Sequence, residues 1–340
     1  MKAAVVSAVN AEWELADIPT PSPGPGEVLI RVRASGICHN DILVTRGVIP
    51  FPPFSPAVLG HEPAGEVVAV GPGVTNRRVG DRVGVPWIQG TCGHCDHCAR
   101  NLPLSGLAAI RCAAPAMTGI TVPGGQAEYL VARASGTVPL PDGLSFSDAA
   151  PTLCAGYTAW CAFRKADPRP FERVAVLGIG ALGHFAVQFA ATSGFETVAI
   201  TRSDDKRELA RELGASLVVG NGEELAAAGG ADVIVATGSS NAAAADSMRG
   251  LRPGGRIVLA GMDPLEPFAL PPDVSGLFFA LDQKVLGVTH EDPRQLAEAL
   301  EIVASGRVRP MVELFTAEQV ADAAARVAKG EVRFTAVVSY

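Results

Sequence analysis

The residues of this chain that could do chemistry fall into two cysteine-centred groups and one glycine loop. Cys38 opens the run Cys38-His39-Asn40-Asp41, Gly60-His61-Glu62 begins a little over 20 residues on, and Cys154 lies far downstream. Two thiolates and one imidazole make a three-ligand zinc site whose fourth position stays open, the arrangement of an ion that acts on a substrate. A second group, Cys92-x-x-Cys95-x-x-Cys98 followed by Cys112, gathers four thiolates in one short lobe. Four sulfurs close a tetrahedral shell, so an ion held there would be structural. Free surface thiols are the plain alternative for these four, but they would expose reactive side chains at a spacing typical of metal ligands. His94 and His97 alternate with the cysteines and could ligate, although four thiolates already complete the shell and leave both histidines to solvent.

The glycine loop is Gly178-Ile179-Gly180-Ala181-Leu182-Gly183, which follows the apolar run 173–177 and opens a helical pattern over 181–193. In that context a GxGxxG match reads as a dinucleotide loop. The glycines permit a tight turn and a close approach of a pyrophosphate, whose charge then sits at the helix N-terminus. A glycine-rich turn in some other α/β protein is the alternative. A site for NAD carries Asp or Glu about 20 residues further on, to bind the ribose hydroxyls. Here Thr201, Arg202 and Ser203 stand at that place. The missing carboxylate and the guanidinium suit a 2′-phosphate, so NADP(H) is expected in preference to NAD(H), with Asp204 and Asp205 close by as the counter-argument. The candidate cofactor contacts are Gly178, Gly180, Ala181, Leu182, Gly183, Thr201, Arg202, Ser203 and Lys206.

The elements that must position these groups differ along the chain. Residues 1–150 are dense in Gly, Pro and Val, with short strand-like runs at 27–32 and 65–70, which reads as an irregular antiparallel β domain. A helical pattern covers 145–165. Apolar strands follow at 173–177, 197–200, 232–236 and 256–260, with helices at 181–193 and 206–213, the alternation of a doubly wound parallel sheet. Helices at 293–305 and 317–329 lead to a last strand at 335–338, expected to rejoin the first domain. With 340 residues, of which 48% are hydrophobic and 19% charged, the chain can fill two cores. Its formal charge of −7 argues against nucleic acid or an anionic membrane surface as a partner. No apolar run approaches the ~20 residues of a membrane span. Met1 leads directly into a strand-like segment with no signal-peptide pattern, so a reducing compartment, the cytoplasm, is expected, where clustered thiols bind metal more often than they form disulfides.

From about residue 24 to 338 the chain resembles the zinc-dependent medium-chain alcohol dehydrogenases of the shorter bacterial and yeast type. The matching motifs are Gly36-Ile37-Cys38-His39, Gly60-His61-Glu62 running on to Gly65 and Gly71, Val79-Gly80-Asp81-Arg82-Val83-Gly84, the cysteine lobe, Cys154-Ala155-Gly156-Tyr157-Thr158 and the glycine loop. The resemblance implies an α/β protein: a GroES-like β catalytic domain, 1–150 plus 286–340, around an inserted Rossmann domain, 151–285. It implies a homotetramer, with a homodimer as the alternative, and two zinc ions per chain. Carried over to this sequence, Cys38, His61 and Cys154 would hold catalytic zinc, with Glu62 beneath it as an occasional ligand, and Cys92, Cys95, Cys98 and Cys112 the structural ion. Asp41 would accept a hydrogen bond from the non-ligating nitrogen of His61; alone it would be a turn or cap residue. His39 would approach the cofactor pyrophosphate, Thr158 would pack on the nicotinamide, and Asn40 and Trp87 would line the substrate pocket. Trp87 alone would be ordinary core, and Cys161 a buried apolar side chain.

Three departures from the family matter. Asn40 stands where Ser or Thr usually relays the alcohol proton, and an amide donates and accepts hydrogen bonds without serving as an ordinary proton relay. The loop between Cys98 and Cys112 has thirteen residues against about seven in the family, which would distort or repack the lobe. Thr335 replaces an Arg that contacts cofactor phosphate. The expected activity is hydride transfer between NADP(H) or NAD(H) and an alcohol with its aldehyde or ketone. Reduction of an imine or a conjugated alkene on the same scaffold is a second reading, motivated by Asn40. A non-catalytic NADPH-binding or structural protein is a third, since fold does not guarantee function.

Overall fold

Strand periodicity explains how the first unit carries its ligands. In strand Glu27–Ile37, Val28, Ile30 and Val32 are buried while Glu27, Leu29, Arg31 and Arg33 are partly or fully exposed; from Ala34 to Ile37 every residue is buried. That change marks the passage from a half-solvated strand to one covered on both faces, just before Cys38. The computed structural model describes residues 1–100, 107–261, 263–288, 290 and 292–340. Of the long loop expected to distort the cysteine lobe, 101–106 lie outside the described residues.

Strand Glu27–Ile37 pairs antiparallel with Glu62–Val70 on one side, placing Gly36 opposite Glu62. On the other side it pairs with Thr335–Ser339, Val337 opposite Gly36, so the last strand joins the sheet built by the first part of the chain. Among the described residues the sheet runs Val138–Pro139, Arg82–Gly84, Glu62–Val70, Glu27–Ile37, Thr335–Ser339, Val312–Thr316, with Tyr129–Arg133 also paired to Glu27–Ile37. Ile37, Ile42, Leu59, Ile88 and Val338 form one apolar cluster beside the segments that bear Cys38 and His61. Val28, Ile30, Val67, Val83 and Leu130 form another.

The second unit contains, among the described residues, a parallel sheet in the order Leu217–Val219, Glu196–Ile200, Arg173–Leu177, Ala231–Ala236, Leu251–Leu259, Lys284–Gly287. Numbered within the unit this is 3-2-1-4-5-6, the Rossmann order. Val174, Ala175, Val176, Val233, Ile234 and Val235 are buried without alternation, as strands covered on both faces must be. The chain divides into Met1–Cys154 with His290–Ser305 and Pro310–Tyr340, and Ala155–Thr289 with Gly306–Arg309. The first two crossings thus fall at 154 and 290, where the sequence reading has 150 and 286, and Gly306–Arg309 adds a brief return to the second unit.

One expectation needs correction. The helical pattern over 145–165 is not one α-helix but Phe146–Pro151, then a π-helical turn Thr152–Gly156, then Tyr157–Ala166. Ser145 starts it, its hydroxyl accepting from the Asp148 N–H at 3.0 Å. Pro151 has no N–H to continue the α ladder, and the widened turn that follows presents Cys154. Single π turns of this kind occur frequently at functional sites. No helix among the described residues is long and apolar enough to cross a membrane.

Candidate functional site

Asp41 ties the first metal group together. Cys38 is the N-cap of helix His39–Thr45, and Asp41 in the first turn accepts the Cys38 N–H on Oδ2 at 2.9 Å. Its other oxygen, Oδ1, lies 2.9 Å from Nδ1 of His61, with both side chains almost wholly buried. A carboxylate only accepts, so Nδ1 carries its proton and Nε2 faces away from Asp41. Burial pushes the imidazole down, but Asp41 and Cys38 outweigh it and hold it well above its usual value. The surroundings therefore favour positive charge on the ring side of the cluster, which a cation at Nε2 can supply.

The geometry suits a zinc ion. His61 Nε2 and Glu62 Oε2 are buried with no hydrogen-bond partner. The Cys38 and Cys154 sulfurs lie 3.9 Å apart; bonds of about 2.3 Å in a tetrahedral shell put two sulfurs about 3.8 Å apart. The ligand atoms of Cys38, His61, Glu62 and Cys154 all fall within 4.8 Å of one another. The hydrogen bond with Cys154 holds the Cys38 thiol well below its usual value, and the same bond, with burial, raises Cys154. Burial and the Cys38 charge raise Glu62. The raised Cys154 and Glu62 express negative groups crowded out of water, which a divalent cation relieves. Gly36 makes the crowding possible, because a Cβ there would sit 1.9 Å from Glu62 Oε2.

Trp87 is half-buried, its ring centroid 5.5 Å from that of His61 and its Nε1 buried without a partner. Asn40 is half-buried and His39 exposed. His290, which the sequence reading does not single out, is 3% exposed; burial, and then the charge of His61, push its imidazole down to about 3. No motif surrounds it, so only the fold brings it to notice. Thr158 is half-buried in helix Tyr157–Ala166 of the second unit. Thr335 is buried, with no hydrogen-bond partner for its hydroxyl oxygen.

The second cysteine group also closes to metal distances. Sulfur separations are 3.9 Å for Cys92–Cys98, 3.4 Å for Cys95–Cys98, 4.0 Å for Cys95–Cys112 and 3.7 Å for Cys98–Cys112, close to the ~3.8 Å edge of a zinc tetrahedron. Backbone N–H groups aim at the sulfurs, those of Cys92 and Ala114 at Cys112 from 3.2 and 3.4 Å. Hydrogen bonds from the Ala113 and Cys98 N–H groups lower the Cys95 thiol to about 6, the thiolate-favouring environment of a ligand. Neither His94 nor His97 belongs to the four-sulfur cluster, but only His94 is exposed, its Nδ1 2.9 Å from the Cys92 carbonyl; His97 is half-buried with its Nε2 out of solvent, against the expectation.

In the second unit the glycine loop ends strand Arg173–Leu177 and leads into helix Gly183–Thr192. Gly178 has φ +84°, and a Cβ on Gly183 would lie 1.9 Å from the Gly178 carbonyl oxygen, so both positions require glycine. A Cβ on Gly180 would meet nothing within 4 Å, leaving its backbone open to a ligand. Thr237 Oγ1 lies 2.9 and 2.8 Å from the carbonyls of Leu177 and Gly178, and His184 Nδ1 lies 3.1 Å from the Gly180 carbonyl. The sequence reading missed both braces. The adjoining cleft, about 560 Å³, is lined by Gly178, Thr201, Arg202, Ser203 and Lys206 but not by Gly180, Ala181, Leu182 or Gly183, which form the turn and helix start. Asp204 and Asp205 do not line it: Asp204 pairs with Arg207 at 3.6 Å, and Asp205 accepts from the Ser203 hydroxyl. Asp246, which does line it, is held by Arg249 and by the Gly222 N–H.

The family described as "Alcohol dehydrogenase GroES-like domain" matches residues 24–142, and that described as "Zinc-binding dehydrogenase" matches residues 181–305. An alcohol dehydrogenase of Geobacillus stearothermophilus is 40% identical over 340 residues, 98% of this chain and 97% of that one. The solved structure of a cobalt- and zinc-bound thermostable alcohol dehydrogenase from Pyrobaculum aerophilum is similar with a TM-score of 0.85 and 30% identity, over 100% of this chain and 99% of that one. An acetophenone reductase from Geotrichum candidum in complex with NAD matches at TM-score 0.82 and 29% identity, over 100% and 97%. The chain belongs to the zinc-type medium-chain alcohol dehydrogenases, which are nicotinamide-dependent oxidoreductases.

Proposed function

We propose that this protein moves a hydride between NADP(H), in preference to NAD(H), and an alcohol with its aldehyde or ketone. The observation that carries the reading is the buried cluster in which two thiols and the unpartnered His61 Nε2 and Glu62 Oε2 converge. Cys38, His61 and Cys154 would hold one zinc ion, with Glu62 as an occasional ligand, and Cys92, Cys95, Cys98 and Cys112 a second. Bound zinc at the first site supplies Lewis acidity to a substrate oxygen, and bound nicotinamide supplies or accepts the hydride. The remaining work belongs to the chain. Asp41 fixes the His61 tautomer and the Cys38 backbone together, so the donor atoms are set before an ion arrives. We assign Trp87 and Asn40 to the substrate pocket, Thr158 to the nicotinamide, and His39 to the pyrophosphate.

Arg202 and Lys206 line the nucleotide cleft while Asp204 and Asp205 are turned to other partners, which supports a 2′-phosphate. We divide the labour between the two units accordingly, metal and substrate chemistry in the first and nucleotide binding in the second, and propose a homotetramer, with a homodimer as the alternative, in a reducing compartment such as the cytoplasm. Asn40 has no hydroxyl proton to pass on, so C=N and conjugated C=C bonds belong among the trial substrates. The test is a steady-state comparison of NADPH and NADH against alcohols, aldehydes, ketones and imines, with metal analysis of the same preparation. Two zinc ions per chain, turnover of simple alcohols and a lower KM for the NADP couple are expected. Turnover confined to imines or alkenes would replace the alcohol reading, and a chain with full activity and no zinc would end it.

A further inference from the structure

Gln126 carries no motif in the sequence, yet it is fully buried and every polar atom it has is engaged. Its backbone N–H donates to the Leu59 carbonyl at 3.0 Å and its carbonyl accepts from the Ala4 N–H at 2.8 Å. Side-chain Nε2 donates to the Gly36 carbonyl at 2.8 Å and lies 3.4 Å from that of Ser35. Oε1 accepts from the Tyr340 hydroxyl at 3.0 Å. Two carbonyls on one side and a hydroxyl on the other leave the amide a single orientation. The acceptor Gly36 lies two residues before Cys38 and opposite Glu62. The other side of the residue is pressed on the turn before His61: Gly60 has φ +93°, and a Cβ there would be 2.5 Å from Gln126 Cγ. The neighbouring Gly125 N–H donates to the Gly60 carbonyl at 2.8 Å.

We propose that Gln126, oriented by Tyr340, is a positioning residue for the open metal site. It sets the spacing between the segment that ends in Cys38 and the segment that presents His61 and Glu62. The inference rests on the reading of that cluster as a zinc site. It differs from a purely structural role in one respect: a general staple would weaken the whole unit, whereas a positioning residue acts on one of two metals. Leu in place of Gln126 keeps much of the volume but leaves the Gly36 carbonyl buried without its donor, and Phe in place of Tyr340 removes only the hydroxyl that aims the amide.

The test measures release of each zinc to a chelator from the purified full-length protein and its Gln126→Leu and Tyr340→Phe variants. The two ions are told apart in cobalt(II)-substituted protein, because two sulfurs and four sulfurs give different visible spectra. The expected result for Gln126→Leu is about 10–100-fold faster loss of the open-site ion, the usual cost of disturbing groups behind a ligand, with the four-cysteine ion released at the unaltered rate. Tyr340→Phe should move the open-site ion the same way by a smaller factor and shift its cobalt spectrum. Unchanged release in both variants, or equal acceleration of both ions, overturns the inference while leaving the zinc reading intact. Should Gln126→Leu fail to fold, Tyr340→Phe decides alone. An unsubstituted protein that binds only the four-cysteine ion fails the zinc reading itself, and the inference falls with it.

Discussion

The Asp41 carboxylate does two jobs with two oxygens, holding the Cys38 N–H and the His61 ring at 2.9 Å each. Asp41→Asn would keep the size but lose the charge and leave one accepting oxygen for two donors, so the side chain can hold the His61 Nδ1–H or the Cys38 N–H but not both. Affinity for an ion at the open site should fall about 10–100-fold. Competition against a chelator of known affinity measures this; a variant that binds both ions with unaltered affinity would show the carboxylate to be only a helix cap. Cofactor choice also belongs to single residues. Thr201 is buried at the end of strand Glu196–Ile200 and lines the cleft beside Arg202. Thr201→Asp would set a carboxylate against a 2′-phosphate, and kcat/KM with NADPH should drop about tenfold or more while that with NADH holds or rises, about 1.4 kcal/mol of discrimination. Equal losses with both cofactors would mean that the 2′-phosphate is not bound there.

At the scale of elements, the legible parts were those where chemistry demands residue types at fixed short spacing. The convergence of the four cysteines and the tight glycine turn could be read because four sulfurs at such spacing and a strand-to-helix turn of close approach leave few choices of residue. The π turn at Thr152–Gly156 could not, because helical periodicity over 145–165 is the same whether one turn is wide or not. Gln126 could not either, since its partners Gly36 and Tyr340 are 90 and 214 residues away along the chain. His184 belongs to the same group, a buried polar residue of helix Gly183–Thr192 whose use depends on contacts with the turn before it. Burial holds its imidazole at about 4 against the ordinary 6.5, so it is neutral near pH 7 and Nδ1–H can donate to Gly180. The unfolded chain takes up the proton first as pH falls, so stability drops between about 6.5 and about 4 and levels off below. His184→Phe removes that term. Relative to the unsubstituted protein, the variant should gain stability as pH falls through this window, read from unfolding midpoints at a series of pH values. Parallel curves would show that His184 does not titrate on unfolding.

At the scale of the whole molecule, the two clusters of candidate metal ligands lie in the same unit, and a shared core connects them. Ala109, Met117 and Ile120, around the four-cysteine lobe, pack in one apolar cluster with Ile37, Ile42 and Leu59, the neighbours of Cys38 and His61. The parallel sheet has its own core, built from residues such as Val198, Ile234, Leu225 and Ile257. A structural ion contributes free energy to the state that binds it and none to the rest. Cys95→Ser, which breaks the four-sulfur shell, should therefore loosen the helix His39–Thr45 and the strand Ile88–Gly90 as well as the lobe itself. Amide hydrogen exchange resolves this segment by segment. Exchange should quicken about tenfold or more in those two elements, equal to about 1.4 kcal/mol of lost protection, and stay within about twofold across Arg173–Leu177 and Ala231–Ala236. Equal loosening of the parallel sheet would mean that the ion stabilises the chain as one cooperative body. Full protection of His39–Thr45 would mean that the lobe is held apart from the Cys38–His61–Cys154 cluster.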